Sequence, residues 1–190
     1  EALPPPPVTR TRAEVAPAFP YRSFALETGD ALKVMRRFAG PIPVATRGTA
    51  PAAASADLDR LIRRMQREAR LPISRTTGPA SVSIEFVPVA DMRGIAPTAA
   101  CFVVPGVRTF AEYAANLRNP DLDWTKRVTR RNAATCIPPD ESPQQARDCL
   151  NEEQAQASGP LKDLYRLPGT VPNDDKFLGH LPACDERWAR

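Results

Sequence analysis

Histidine is almost absent from this chain of 190 residues, which contains only His180. Catalytic zinc is usually held by three protein ligands, mostly histidine with carboxylate or thiolate, so the sequence predicts no bound metal and no cofactor. Glycine is also scarce, with nine residues, and no phosphate-binding loop, dinucleotide fingerprint or G-x-S-x-G turn occurs. These absences argue against the common nucleotide-binding enzymes, serine hydrolases and zinc hydrolases.

Long apolar runs are missing, and aromatic residues make up only 6% of the chain. A membrane-spanning helix needs roughly 20 consecutive apolar residues, so an integral membrane protein is excluded. Proteins that bind nucleic acid stack bases on aromatic side chains and present a strongly basic surface. The net charge of +4 is too small for that role, and no nucleic-acid partner is predicted.

The charge is distributed unevenly along the chain. Residues 1–136 hold 20 Lys and Arg against 12 Asp and Glu, whereas residues 137–190 hold 6 against 10. Such a distribution favours attraction between the two parts, or an anionic partner for the first part.

Four cysteines without any C-x-x-C spacing predict two disulfides in an oxidising compartment. Four cysteines allow three pairings, and the spacing does not choose among them. The first residue is Glu1, which fits a mature product whose export signal has been removed. We therefore expect a periplasmic or extracellular protein.

Proline is abundant, with 22 residues, and it limits where helices and strands can run. Residues 1–22 are predicted to form an extended, proline-rich arm, and the folded part is predicted to begin near Ser23. Residues 32–38 with 42–44 are typical of a strand that prolines confine to an edge or a bend. Alternation over 81–87 predicts a half-buried strand, and further strands are predicted at 100–104 and 128–137, with a short helix at 110–117.

A first amphipathic helix is predicted over 57–70, with Ser55 as its N-cap and Pro72 after its end. Its apolar stripe faces a core, and five arginines lie on the opposite side. This patch is either a solvated cationic face or a binding site for an anionic partner. Its members are Arg60, Arg63, Arg64, Arg67 and Arg70.

A second helix is predicted from Pro143 to Ser158, with Ser142 as N-cap and Gly159-Pro160 as its stop. Residues at three- and four-residue steps share one side, which must face the core although it includes Glu153. Glu152 and Gln156 lie at the margin of that side. A buried carboxylate needs a partner or a raised pKa, so these three residues are the candidates for function. The core-facing positions are Ala146, Cys149, Leu150, Glu153 and Ala157.

The segment 152–159, EEQAQASG, resembles the zincin helix H-E-x-x-H-x-x-G with both histidines replaced. Glu152 and Gln156 stand at the histidine positions, and Glu153 stands at the position of the general base. The wider pattern, including 99–106, 142–150, 159–168 and Asn173-Asp174-Asp175, resembles a family of exported bacterial proteins called domain of unknown function 2927.

This resemblance covers about residues 30–178 and implies a zincin-like α+β domain over 23–178. It implies a small twisted mixed sheet backed by helices, with residues 179–190 as a divergent or truncated tail. It also favours Cys101–Cys149 as a disulfide, leaving Cys136 and Cys184 to pair together or stay free. The second helix would border a shallow groove. The other predicted groove residues are Tyr165, Arg166, Asn173, Asp174 and Asp175.

Two functions from different classes follow. The first is a non-catalytic binding or scaffold domain of the cell envelope, with a protein partner or an anionic surface, as a subunit of a larger assembly or on its own. The alternative is a hydrolase of peptide or cell-wall polymer that uses Glu153 as general base. Glu152 and Glu153 are adjacent on a helix and project about 100° apart, so they cannot readily flank one bond as a glycosidase pair does.

Overall fold

The computed structural model describes residues 28–159, together with Ala16, Pro20 and residues 23–26. Most of the predicted arm and the whole of the predicted tail lie outside these residues. The described strands form one twisted sheet in the order β2-β1-β3-β5-β4, in which only β4, at one edge, is antiparallel to its neighbour. The strands are Ile42–Gly48 (β1), Ile73–Arg75 (β2), Val82–Phe86 (β3), Phe102–Pro105 (β4) and Ala133–Ile137 (β5).

Four α-helices occur in the described part of the chain, and two of them are long. They are Ala54–Glu68 (α1), Val89–Arg93 (α2), Phe110–Ala115 (α3) and Pro143–Ser158 (α4). Short 3-10 turns at Pro120–Leu122 and Trp124–Lys126 lead towards β5. The predicted α+β class with a small mixed sheet backed by helices is therefore confirmed.

The main core lies between one face of the sheet and the helices α1 and α4. The apolar stripe of α1 and the inward face of α4 are buried against alternate residues of β1, β3 and β5, as period-two and period-3.6 patterns require. The largest buried side chains in this core include Leu58, Ile73, Ile84, Ile137 and Leu150.

The other face of the sheet is also covered, by the irregular segment that carries α2 and α3. Val87, Met92 and Cys136 form one small cluster there, and Val104, Val107 and Ala134 form a second. Because of this cover, every residue of β3 is buried. The predicted half-buried strand at 81–87 is wrong in this respect: the pattern marks the core face but cannot show that residues far along the chain cover the other.

Three local predictions near the N-terminus of the domain are wrong. Residues 32–38 form no strand apart from a single bridge between Phe38 and Arg130. The strand at 42–48 is internal, since it pairs with β2 on one side and β3 on the other. Proline is tolerated in it because Pro43 precedes the first pair of the β1–β3 ladder, Val44 with Val82, so its missing N–H interrupts no bond of that ladder. Helix α1 begins at Ala54, so Ser55 lies inside it and makes no cap.

Candidate functional site

Helix α4 has the predicted bounds, Pro143–Ser158, because its first turn is well capped. The Ser142 hydroxyl accepts a hydrogen bond from the Gln145 backbone N–H at 3.2 Å, and Pro143 occupies the first helical position. The Gln145 cap partner and the Gly159 end are both evident in the sequence. The sequence therefore fixes which residues α4 presents to the sheet.

The second half of α4 is buried on nearly all sides, although much of it is polar. The predicted core-facing positions are all buried, and the buried set extends beyond them. Glu153 is 4% exposed and Gln154 is fully buried. A polar helix with so little exposure needs internal partners for its side chains, which sets α4 apart from the strongly amphipathic α1. The additional buried residues are Asn151, Gln154, Gln156 and Ser158.

A disulfide ties α4 to the edge of the sheet. Cys101, immediately before β4, is bonded to Cys149, in the middle of α4, with a Cα–Cα distance of 5.9 Å. This is the pairing that the family resemblance implies. Cys136 is a free, buried thiol. The prediction of a second disulfide is therefore wrong for Cys136, which takes the other predicted alternative of staying free. Cys184 lies outside the described residues.

Two carboxylates lie beside this disulfide. The Cys101 sulfur, one carboxylate oxygen of Glu152 and one of Glu153 all lie within 4.8 Å of one another. Glu152 is half-buried and Glu153 is buried.

The C-terminus of α4 is held by a buried arginine. Arg130 donates hydrogen bonds to the backbone carbonyl oxygens of Gln156, Ala157 and Gly159. Its guanidinium also lies over the Trp124 ring, 4.8 Å from the ring centroid. Burial, with a smaller contribution from nearby Arg36, lowers the pKa of Arg130 to about 9, so it is still a cation at pH 7.

The N-terminal half of α4 is joined to α1 by a polar network. Arg147 Nε lies 3.1 Å from an Asp57 carboxylate oxygen and donates to it, and the other oxygen of Asp57 accepts from Arg60. Gln144 bridges Arg147 and Asp148 within α4. Burial raises the pKa of Asp148, against the opposite effects of Gln144 and Arg147.

Further titratable groups occupy the opposite face of the sheet. Burial raises the pKa of Glu85, although the Phe110 N–H and Arg47 act the other way. Arg47 Nε lies 3.3 Å from the Glu85 carboxylate. Burial, then Glu85 and Glu153, raise the pKa of the Cys136 thiol, which therefore stays protonated and a poor nucleophile.

A protein family described as Protein of unknown function (DUF2927) matches residues 12–188 of this sequence. The chain belongs to the DUF2927 family. No curated protein matches it. In the described part of this DUF2927 chain, no helix is both long enough and apolar enough to cross a membrane.

The DUF2927 chain brings together only some of the predicted site residues. Glu152, Glu153 and Gln156 share the buried half of α4 with the disulfide. The predicted arginines form a separate surface on the outer side of α1, described below. The remaining candidates lie outside the described residues: Tyr165, Arg166, Asn173, Asp174, Asp175 and Cys184.

Three buried polar residues of this DUF2927 domain are not predicted from its sequence. Arg130 stands in a basic run with Lys126, Arg127 and Arg131, and nothing in that run distinguishes it. Cys136 and Glu85 alternate with core residues and therefore belong to the other face of the sheet. Their burial depends on the segment 87–122 packing over that face.

Proposed function

We propose that this domain is a non-catalytic binding or scaffold domain of the bacterial cell envelope, zincin-like in architecture but without the means to hold zinc in its disulfide-bonded form. The observation that carries the proposal is the donor set of α4. At the two positions where the zincin helix has histidines, this helix has a carboxylate, Glu152, and an amide, Gln156. A glutamine amide is a poor zinc ligand.

The disulfide supports the same conclusion. Thiolate, not disulfide sulfur, is the form of cysteine that binds metal, and Cys101 next to the carboxylates is bonded to Cys149. The bond also clamps α4 against the edge of the sheet. A disulfide further fits a periplasmic or extracellular location, which is part of this proposal.

The binding surface in this proposal is the arginine face of α1. Arg60, Arg63, Arg67 and Arg70 are exposed, and Arg64 is half-buried. Steps of three and four residues place Arg60, Arg63 and Arg67 in one stripe about 10 Å long. Arg70 lies just past the end of α1, where its backbone has left the helix with a φ of 55°. Arg60 pairs with Asp57, and Arg64 and Arg67 pair with Glu68.

Two arginines of this face have no such neutralisation. None of the ion pairs between described residues includes Arg63 or Arg70, and both side chains are exposed, so their charge is available to a partner. The arginine face is therefore suited to an acidic protein surface or an anionic envelope surface.

Neutralising the arginine face tests the binding function. We expect R63Q/R67Q/R70Q to weaken binding to anionic phospholipid vesicles, or to partners retained from envelope extracts, at least about tenfold at low salt. The matched control is R93Q/R108Q/R118Q, which removes the same charge from exposed positions elsewhere and should bind as wild type does. Equal binding by both variants, or none by wild type, would refute the proposal.

A hydrolase remains the second candidate because Glu153 is a buried carboxylate at the general-base position, beside Glu152. A carboxylate held away from bulk water can act as a general base towards a bound water molecule. The reaction would be hydrolysis of peptide or cell-wall polymer by a water molecule that Glu153 activates.

The variant Glu153→Gln separates the two functions. The binding proposal predicts equal turnover of peptide and peptidoglycan substrates by wild type and E153Q, at the level of a buffer blank. A general base contributes about 100- to 10,000-fold to a rate. A loss of turnover of that size in E153Q, with unchanged binding to the ligand of the arginine face, would establish the hydrolase instead. Glu141→Gln, just before α4, is the control for removal of one carboxylate.

A further inference from the structure

The disulfide and the two carboxylates beside it form a set of four potential metal donors. Cys101 and Cys149 supply two sulfurs, and Glu152 and Glu153 supply carboxylate oxygens that lie within 4.8 Å of the Cys101 sulfur and of each other. In the oxidised chain the sulfurs are bonded to each other. Only the carboxylates are then in a form that binds metal strongly.

We propose that reduction of Cys101–Cys149 converts this place into a binding site for one zinc-class ion, held by two thiolates and the carboxylates of Glu152 and Glu153. The inference does not depend on the proposed function, because it concerns the reduced chain. It assigns the disulfide a role as a redox-controlled gate for metal binding.

The distances suit such an ion. Zinc binds thiolate at about 2.3 Å and carboxylate oxygen at about 2.1 Å in a tetrahedral arrangement, which separates its donors by about 3.5 Å. The Cys101 sulfur and one oxygen of each carboxylate already lie within 4.8 Å of one another. The Cys149 sulfur adjoins them through its bond to Cys101, so side-chain rotations after reduction can bring all four donors towards that geometry. Both carboxylates have other interactions in the disulfide form, and an incoming ion must displace or share them.

The donors stay close together after reduction because other contacts hold α4 in place. The C-terminus of α4 is hydrogen-bonded to Arg130, and its N-terminal half is linked to α1 by the ion pair of Arg147 with Asp57. Its apolar side is part of the main core. Breaking the S–S bond therefore frees two thiols without releasing the helix that carries three of the four donors.

The chemistry balances with a dithiol as reductant. The dithiol gives two electrons and two protons to the S–S bond, which becomes two thiols, and is itself oxidised to a disulfide. Binding of the divalent ion then releases the two thiol protons to water. Cys101 is partly exposed, so the reductant can reach its sulfur.

Cobalt(II) is the probe, and the chain carries C136A and C184A so that no other thiol can bind it. The protein is reduced with dithiothreitol, which is then removed by anaerobic gel filtration. We expect one cobalt per reduced chain, with thiolate-to-cobalt absorption that zinc abolishes, and no such absorption from the oxidised chain. Equal binding by oxidised and reduced chains, or no binding by the reduced chain, would overturn the proposal.

The carboxylates are tested in the same background. We expect E152Q/E153Q to weaken cobalt binding to the reduced chain at least about 100-fold, while E112Q/E141Q, a matched loss of two remote carboxylates, leaves it unchanged. Unchanged affinity in E152Q/E153Q would also overturn the proposal. Circular dichroism follows folding: if reduction unfolds the chain, recovery of the native spectrum on adding metal supports the site, and failure to recover counts against it.

Discussion

Replacing Arg130 with methionine is expected to lower the free energy of unfolding by about 3 kcal/mol. The substitution keeps an unbranched side chain of similar length but removes every hydrogen bond to the carbonyl oxygens of Gln156, Ala157 and Gly159. Each buried acceptor left without a donor costs about 1–3 kcal/mol. Removing the desolvated charge itself returns part of this loss.

Three independent terms favour arginine at this place. A cation next to a helix C-terminus interacts favourably with the helix dipole. The planar guanidinium spreads its N–H donors over a fixed fork that reaches separate carbonyl groups, whereas an ammonium has all its donors on one nitrogen. The guanidinium also stacks on Trp124. Arg130→Lys should therefore recover the charge but only part of the stability.

Urea denaturation followed by circular dichroism measures these differences. The control is Arg131→Met, the exposed neighbour, which should change stability by less than about 0.5 kcal/mol. Equal stability of R130M and R131M would show that the α4 terminus does not depend on Arg130.

Removing the disulfide is expected to cost about 4 kcal/mol. Cys101 and Cys149 are separated by 48 residues, and the chain-entropy model gives about 4 kcal/mol for a loop of that length. The closed loop contains β4, α3 and β5. The bond therefore reduces the conformational entropy of this segment in the unfolded chain, and so lowers the entropy cost of folding it.

The comparison is between C101A/C149A and C136A, measured by urea denaturation with a chelator present to exclude metal. C136A removes one buried sulfur from a small cluster and should cost about 1 kcal/mol. Reduced wild type should resemble the double variant. A loss below about 1 kcal/mol in C101A/C149A would mean that the loop is already ordered without the bond.

The elements whose signals are local were predictable from sequence. Helix α4 is bounded by Ser142, Pro143 and Gly159, and its prediction is confirmed residue for residue. The apolar stripe of α1 is confirmed, but the predicted start of the helix is wrong. Ser55 is a residue type that favours the N-cap position, yet it lies inside the helix. β2 was missed, since Ile73–Arg75 is three residues long and too short for a period-two pattern to be recognised.

What sequence could not supply depends on contacts between distant residues. The internal position of β1 requires β2 and β3 on its two sides, and Pro43 argues against it locally. The roles of Arg130 and Cys136 arise from the irregular segments that pack over them. Cys101 lies about 50 positions before Glu152 and Glu153, although the three meet in the structure. Spacing along the helix could suggest only that the two glutamates lie near each other.

The strand order has a consequence for how the chain acquires its structure during synthesis. β4 pairs only with β5 in the described sheet, and β5 also completes β3. β4 precedes β5 by almost 30 residues. Until β5 has been synthesised, β4 has no strand to pair with, and one edge of β3 is also unpaired. Non-local pairings of this kind slow folding and leave strand edges exposed. This half of the sheet therefore cannot form until residues 133–137 are free to pair, and up to that point its unpaired strands can be bound by a chaperone.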